Sequence, residues 1–171
     1  MRWIPNGLSL IRLICAPMVA SLIVSGEEKL ALYGVMGAFF TDLLDGWLAR
    51  KYSWETPMGR ILDPLADKAL SFCIFGALYL CQKIPLSLCI IILIRDVCIG
   101  LGAWWMGYKK DIQYFKPLMI SKVNTATQGL LCVAVLWGGS PALVGILIPV
   151  LWSTTILSFY IYGNKLWTTW R

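Results

Sequence analysis

The sequence contains no histidine, and only 14% of its 171 residues are charged. A soluble domain carries roughly 25% charged residues, so the deficit places the chain in a membrane. Six cysteines are present (Cys15, Cys73, Cys81, Cys89, Cys98 and Cys132), all within or at the edge of apolar segments and none in C-x-x-C spacing. Without histidine, that pattern argues against a zinc site and against a disulfide framework. The cysteines read as small core hydrophobes. There is no internal repeat and no low-complexity segment. No A-x-A-like site ends the first apolar run, which Arg12 and Pro17 interrupt, and there is no Arg/Ser-rich transit segment. The first span is therefore expected to stay in the mature protein, and a bacterial inner membrane is favoured over a mitochondrial one. A spanning helix takes about 20 apolar residues, which leaves no room for a soluble domain.

What the chain does have is 58% hydrophobic residues, divided by short polar breaks. Six spans are expected, at approximately 7–24, 30–49, 59–81, 84–107, 122–138 and 142–163. Ser25-Gly26-Glu27-Glu28-Lys29, Gln82-Lys83-Ile84-Pro85 and Gly138-Gly139-Ser140-Pro141 read as turns on one side. Arg50 to Pro57 and Lys109 to Lys116 read as polar loops on the other. The second side carries Arg2, Arg50, Lys51, Lys109, Lys110, Lys116, Lys165 and Arg171, against Lys29 and Lys83 on the first. The positive-inside rule then puts both termini on the cytoplasmic or matrix side. The net charge of +6 is absorbed by this topology or by anionic lipid headgroups, and calls for no nucleic acid. Trp3, Trp47, Trp104, Trp105, Trp167 and Trp170 suit interfacial belts.

Carboxylates inside membrane spans are expensive and need a reason. Four of the nine acidic residues sit near the inner ends of the second and third spans. Asp42 and Asp45 are three apart and share a helix face, which Gly46, Ala49 and Arg50 continue. Asp63 and Asp67 are one turn apart, with Gly59 a turn earlier. In an antiparallel pair, Asp42 and Asp67 would both lie about 12–15 Å from the inner surface, so the four can converge at one depth. Converging carboxylates repel unless cations are present. An all-oxygen donor set selects Mg²⁺, Mn²⁺ or Ca²⁺ over zinc. Metal beside a buried Arg and small residues suggests a phosphate ester as ligand, with Gly46, Ala49 and Gly59 leaving room for it. Interhelical polar contacts are the plain structural alternative.

The spacing Asp42-x-x-Asp45-Gly46-x-x-Ala49-Arg50, eight residues, Gly59, three residues, Asp63, three residues, Asp67 resembles without departure the signature of the CDP-alcohol phosphatidyltransferase family. The resemblance implies an all-α integral membrane fold of six transmembrane helices with a cytosol-facing polar cavity, in a single domain over 1–171. It implies two divalent ions, Mg²⁺ or Mn²⁺: one on Asp42, Asp45 and Asp63, the other on Asp67 with Asp42 and Asp63. It implies that Asp67 is the proton acceptor. Contacts to the CDP-lipid are implied for Asn6, Gly46, Ala49, Arg50, Thr56 and Gly59.

Further stretches resemble the cardiolipin-forming branch of the family: Trp3 to Arg12, Thr41 to Gly46, Leu62 to Lys68, Ile94 to Val97 and Lys116 to Gln128. That branch transfers phosphatidyl from CDP-diacylglycerol to phosphatidylglycerol. Its close relatives use glycerol 3-phosphate and typically carry a second Lys where this chain has Asn124. The implied partners are therefore CDP-diacylglycerol, one of these two acceptors, membrane lipid, and a second copy of the chain in a homodimer. Arg95 either neutralises Asp96 between spans or faces the acceptor phosphate. Lys116 and Lys122 either set topology or bind that phosphate. Arg12 and Lys68 either snorkel to the interface or help hold a lipid phosphate. A cation transporter using the aspartates as an ion site is the alternative from another class; it would favour broken half-spans, which the spacing of Gly59, Asp63 and Asp67 does not suggest.

Overall fold

Apolar runs bounded by Gly, Pro and polar residues fold here into helices whose ends can be traced to individual hydrogen bonds. The computed structural model describes the backbone at residues 4–52, 59–108 and 119–170, and side chains at 7–42, 44, 51–52, 59, 62–102 and 119–164. These residues form six α-helices: α1 Ile4–Val24, α2 Glu28–Tyr52, α3 Gly59–Leu80, α4 Leu86–Tyr108, α5 Met119–Leu136 and α6 Pro141–Trp170. The first five fall within three residues of an expected span at both ends, and α6 runs seven residues past the expected end at 163. Three are long and apolar enough to cross a membrane: α1 over Gly7–Val24, α5 over Met119–Leu136 and α6 over Pro141–Asn164. The chain divides into two units, Met1–Ile84 and Pro85–Arg171.

Three helices end in the same turn. After α1, Gly26 N–H donates to Ile23 C=O and Glu27 N–H to Leu22 C=O. After α3, Gln82 and Lys83 donate to Tyr79 and Leu78; after α5, Gly138 and Gly139 donate to Val135 and Ala134. This is the Schellman arrangement, which needs a left-handed residue just past the helix. Gly26 (φ 81°) and Gly138 (φ 74°) adopt it freely, whereas Gln82 (φ 57°) carries a Cβ there. A left-handed conformation costs a non-glycine residue roughly 1–2 kcal/mol. Part of that is returned through the freer unfolded chain, so Gln82→Gly is expected to stabilise the protein by about 0.5–1 kcal/mol. The check is a higher unfolding temperature in detergent; no change or a lower one would contradict it.

In the first unit α1 packs against both α2 and α3. Small buried residues (Ala16, Ala31, Ala38, Ala66 and Ala77) let the backbones approach. At Gly34 a Cβ would come within 2.9 Å of Val19 Cγ2, so α1 and α2 meet there closely enough that a side chain in place of glycine would force Val19 to shift. Lys83 pairs with Glu28, tying the end of α3 to the start of α2. In the second unit α6 packs against α4 and α5.

The outward faces are apolar where a water-soluble fold would be polar, and part of the polar set lies inside. Leu10, Ile11, Ile14, Met18, Phe40, Phe72, Ile146 and Tyr160 are exposed, while Ser9, Arg12, Arg95, Asp96, Asn124, Thr127, Gln128, Thr155 and Ser158 are buried. In water such apolar faces would aggregate; in lipid they are solvated, and the polar groups turn inward.

Candidate functional site

Four polar residues of the first unit meet in the N-terminal half of α1, the buried Ser9 and Arg12 with Asp42 and Asp63. Ser9 and Arg12 are three apart and so share a face of an otherwise apolar helix. Arg12 is 2% exposed. Its Nη1 lies 2.5 Å from Asp42 Oδ1 on α2. Ser9 Oγ donates to Asp63 Oδ1 on α3. Helix α1 thus bonds to both carboxylate-bearing helices, through Arg12 to Asp42 and through Ser9 to Asp63. Arg12 points inward to Asp42 rather than out to the interface. Burying a guanidinium is costly unless it is paired, and Asp42 meets that need while its own side chain stays 48% exposed.

Asp67, one turn beyond Asp63, is half-buried on α3, and Gly59 at the helix start is buried. The side chains of Asn6, Asp45, Gly46, Ala49 and Arg50, together with Thr56 and Lys116 as a whole, lie outside the described residues, as do those of the six tryptophans assigned to interfacial belts. Among the described residues no three carboxylate, cysteine or histidine side chains come together as a metal-holding group. The donor chemistry nonetheless suits a hard divalent cation. A carboxylate offers about four lone-pair sites, so single hydrogen bonds from Arg12 and Ser9 leave Asp42 and Asp63 with capacity for further contacts. All six cysteines are free thiols.

The second unit holds its own polar cluster. Arg95, 2% exposed, donates from Nη1 to Asp96 Oδ1 at 2.6 Å, from Nη2 to Ser121 Oγ at 2.6 Å and to Ser158 Oγ at 3.2 Å, and from Nε to Ser158 Oγ at 3.3 Å. Of the two roles open to Arg95, the structure displays the neutralising pair. One turn along, Asn124 Oδ1 accepts from Thr154 Oγ1 at 2.9 Å and Thr155 Oγ1 at 2.8 Å. Lys122 is exposed and Lys68 half-buried. Ser9, Ser121, Thr154, Thr155 and Ser158 had no role in the sequence reading. The available signal was polar residues three or four apart within apolar helices, which marks an inward face but not its partner.

Helices that show their apolar side chains outward and hold arginine and aspartate within define a membrane protein with a polar interior. The chain belongs to the CDP-alcohol phosphatidyltransferase family: the family profile matches residues 2–160 and so runs through both units. Among its relatives, the cardiolipin synthase (CMP-forming) of Homo sapiens is 34% identical over 95% of this chain and 62% of that protein. The cardiolipin synthase (CMP-forming) / mitochondrial hydrolase fusion protein of Schizosaccharomyces pombe is 38% identical over 75% of this chain and 24% of that protein. The CDP-diacylglycerol–glycerol-3-phosphate 3-phosphatidyltransferase of Aquifex aeolicus is 33% identical over 78% of this chain and 76% of that protein. The chain therefore spans less than two thirds of the length of the two cardiolipin synthases.

Proposed function

We propose that this protein transfers a phosphatidyl group from CDP-diacylglycerol to phosphatidylglycerol, forming cardiolipin and CMP. The observation that carries the reading is the aspartate-bearing pair α2 and α3, clamped by Arg12 and Ser9 of α1, within a chain of this family. The acceptor's hydroxyl oxygen bonds to the phosphorus that bears diacylglycerol. The bond from that phosphorus to the bridging pyrophosphate oxygen breaks, CMP leaves with the electron pair, and Asp67 takes the hydroxyl proton. Asp42, Asp45, Asp63 and Asp67 would hold Mg²⁺ or Mn²⁺, whose contribution is neutralisation of the pyrophosphate. Asn6, Gly46, Ala49, Arg50, Thr56 and Gly59 contact the CDP-lipid. Catalysis rests on positioning and electrostatics, as in phosphoryl transfer generally.

Phosphatidylglycerol is favoured as acceptor by charge. A lipid phosphodiester is a monoanion, whereas glycerol 3-phosphate approaches a dianion and calls for several free cations. The described part of α5 offers exposed Lys122, followed by neutral Asn124, Thr125 and Gln128. Arg95 is already committed to Asp96, Ser121 and Ser158. Lys116 and Lys122 are the remaining candidates for the acceptor phosphate. The second reading, glycerol 3-phosphate as acceptor, is favoured by the likeness to the Aquifex aeolicus protein. The deciding assay gives purified protein CDP-diacylglycerol, Mg²⁺ or Mn²⁺ and equal amounts of both acceptors. Cardiolipin with CMP release is expected; phosphatidylglycerophosphate without cardiolipin would establish the second reading instead.

The same reading takes all six helices as spans, in a single membrane domain with a polar cavity open to the side that supplies CDP-lipid. The loop between α2 and α3 then faces the cytoplasm or matrix. A cysteine replacing Ser53 should resist an impermeant thiol reagent applied from outside, and labelling in intact cells would reverse the topology.

A further inference from the structure

Two buried donors on α5 have no hydrogen-bond partner among the described residues: Asn124 Nδ2 and Gln128 Nε2. The residues are 0% and 4% exposed. They are four apart and share a helix face. A buried polar group left unpaired costs about 1–3 kcal/mol, and hydrocarbon offers it no acceptor. Two such groups one turn apart therefore point to an acceptor that comes from outside the protein.

The surroundings define its chemistry. Asn124 is anchored by its oxygen, which takes hydroxyl protons from Thr154 and Thr155, so its amide nitrogen is the free end. Ser121, three residues before Asn124 on the same face, and Ser158, on the turn of α6 after Thr154 and Thr155, both bind Arg95. Arg95 is itself paired with Asp96. The cluster as a whole therefore carries a neutralised ion pair and two spare amide donors. That combination suits oxygen atoms that are uncharged or share a single charge, namely hydroxyls and a phosphodiester. It suits a phosphomonoester dianion poorly, since the guanidinium is spent on groups of the protein.

We propose that Asn124 and Gln128 are specificity-determining residues that donate hydrogen bonds to the polyol and phosphodiester oxygens of a lipid acceptor's headgroup. The proposal rests on the phosphatidyl-transfer reading above.

Gln128→Met tests it, because methionine keeps the length of the side chain and removes the donor. With CDP-diacylglycerol saturating, the KM for phosphatidylglycerol should rise about 5–10-fold, the loss of one hydrogen bond. The KM for CDP-diacylglycerol should not move. Without added lipid the variant should unfold at the same temperature as the parent or higher, since an unpaired buried donor is gone. The extra thermal stabilisation given by phosphatidylglycerol micelles over phosphatidylcholine micelles should shrink. A lower unfolding temperature with unchanged KM for phosphatidylglycerol would mean that the amides serve only the fold, and would overturn the proposal. Should Gln128→Met not accumulate, Gln128→Leu is judged by the same two measurements. The parent protein's product separates the two levels: no cardiolipin from the parent refutes the transfer reading, whereas cardiolipin from the parent with an unaltered acceptor KM in both variants refutes the amide assignment alone.

Discussion

Asp67→Asn is expected to give an assembled, folded protein whose turnover falls by about 10²–10⁴-fold, the usual loss when a general base is removed. Asparagine keeps the size and shape of the side chain and removes its capacity to take a proton. The position on α3 leaves the packing of the unit intact: Ala66 and Leu70 beside it are buried and unaltered, and the α1 clamp runs through Asp63 and Asp42. The measurement is CMP release from CDP-diacylglycerol, with size-exclusion behaviour and unfolding temperature recorded alongside. Retention of more than about a tenth of the parent activity would remove Asp67 from the role of base.

Arg95→Leu is the substitution with the largest expected effect on stability. It strips the cation from Asp96, which is 7% exposed, and leaves Ser121 and Ser158 without their shared donor. Breaking a buried pair by removing one partner typically costs about 3–5 kcal/mol, because a buried charge loses its counter-ion. Replacing both members with apolar residues is often close to neutral, so Arg95→Leu/Asp96→Leu should recover most of the loss. Unfolding in a detergent titration would read both. If Arg95 instead held the acceptor phosphate and the pair contributed nothing, the single variant would keep its stability and raise only the acceptor KM.

Much of the architecture was legible before any coordinates. The Gly26 and Gly138 turns announced themselves because a left-handed residue past a helix is nearly always glycine. Gln82 did not, since nothing in its side chain signals that conformation; the break there was readable only from the polar run and Pro85. The carboxylate spacing was legible for a different reason: residues three and four apart on a helix share a face whatever the rest of the fold does. Arg12 was ambiguous on local grounds. An arginine in an apolar helix can extend to the interface or turn inward, and which is cheaper depends on whether an anion waits inside. Arg95 carried the same ambiguity, with Asp96 as an adjacent hint.

By itself the sequence determined residence in a membrane, the number and approximate extents of the helices, and which aspartates are spaced to share a helix face, because hydropathy and helical periodicity act between near neighbours. Only the tertiary structure decided which faces meet. Ser9 and Asp63 are 54 positions apart, Arg12 and Asp42 30, and Arg95 and Ser158 63. Such pairs form when helices pack, and the packing is selected by small residues such as Gly34 against Val19 together with the need to pair every charge withdrawn from lipid. Both are properties of two surfaces at once, and no single helix holds that information.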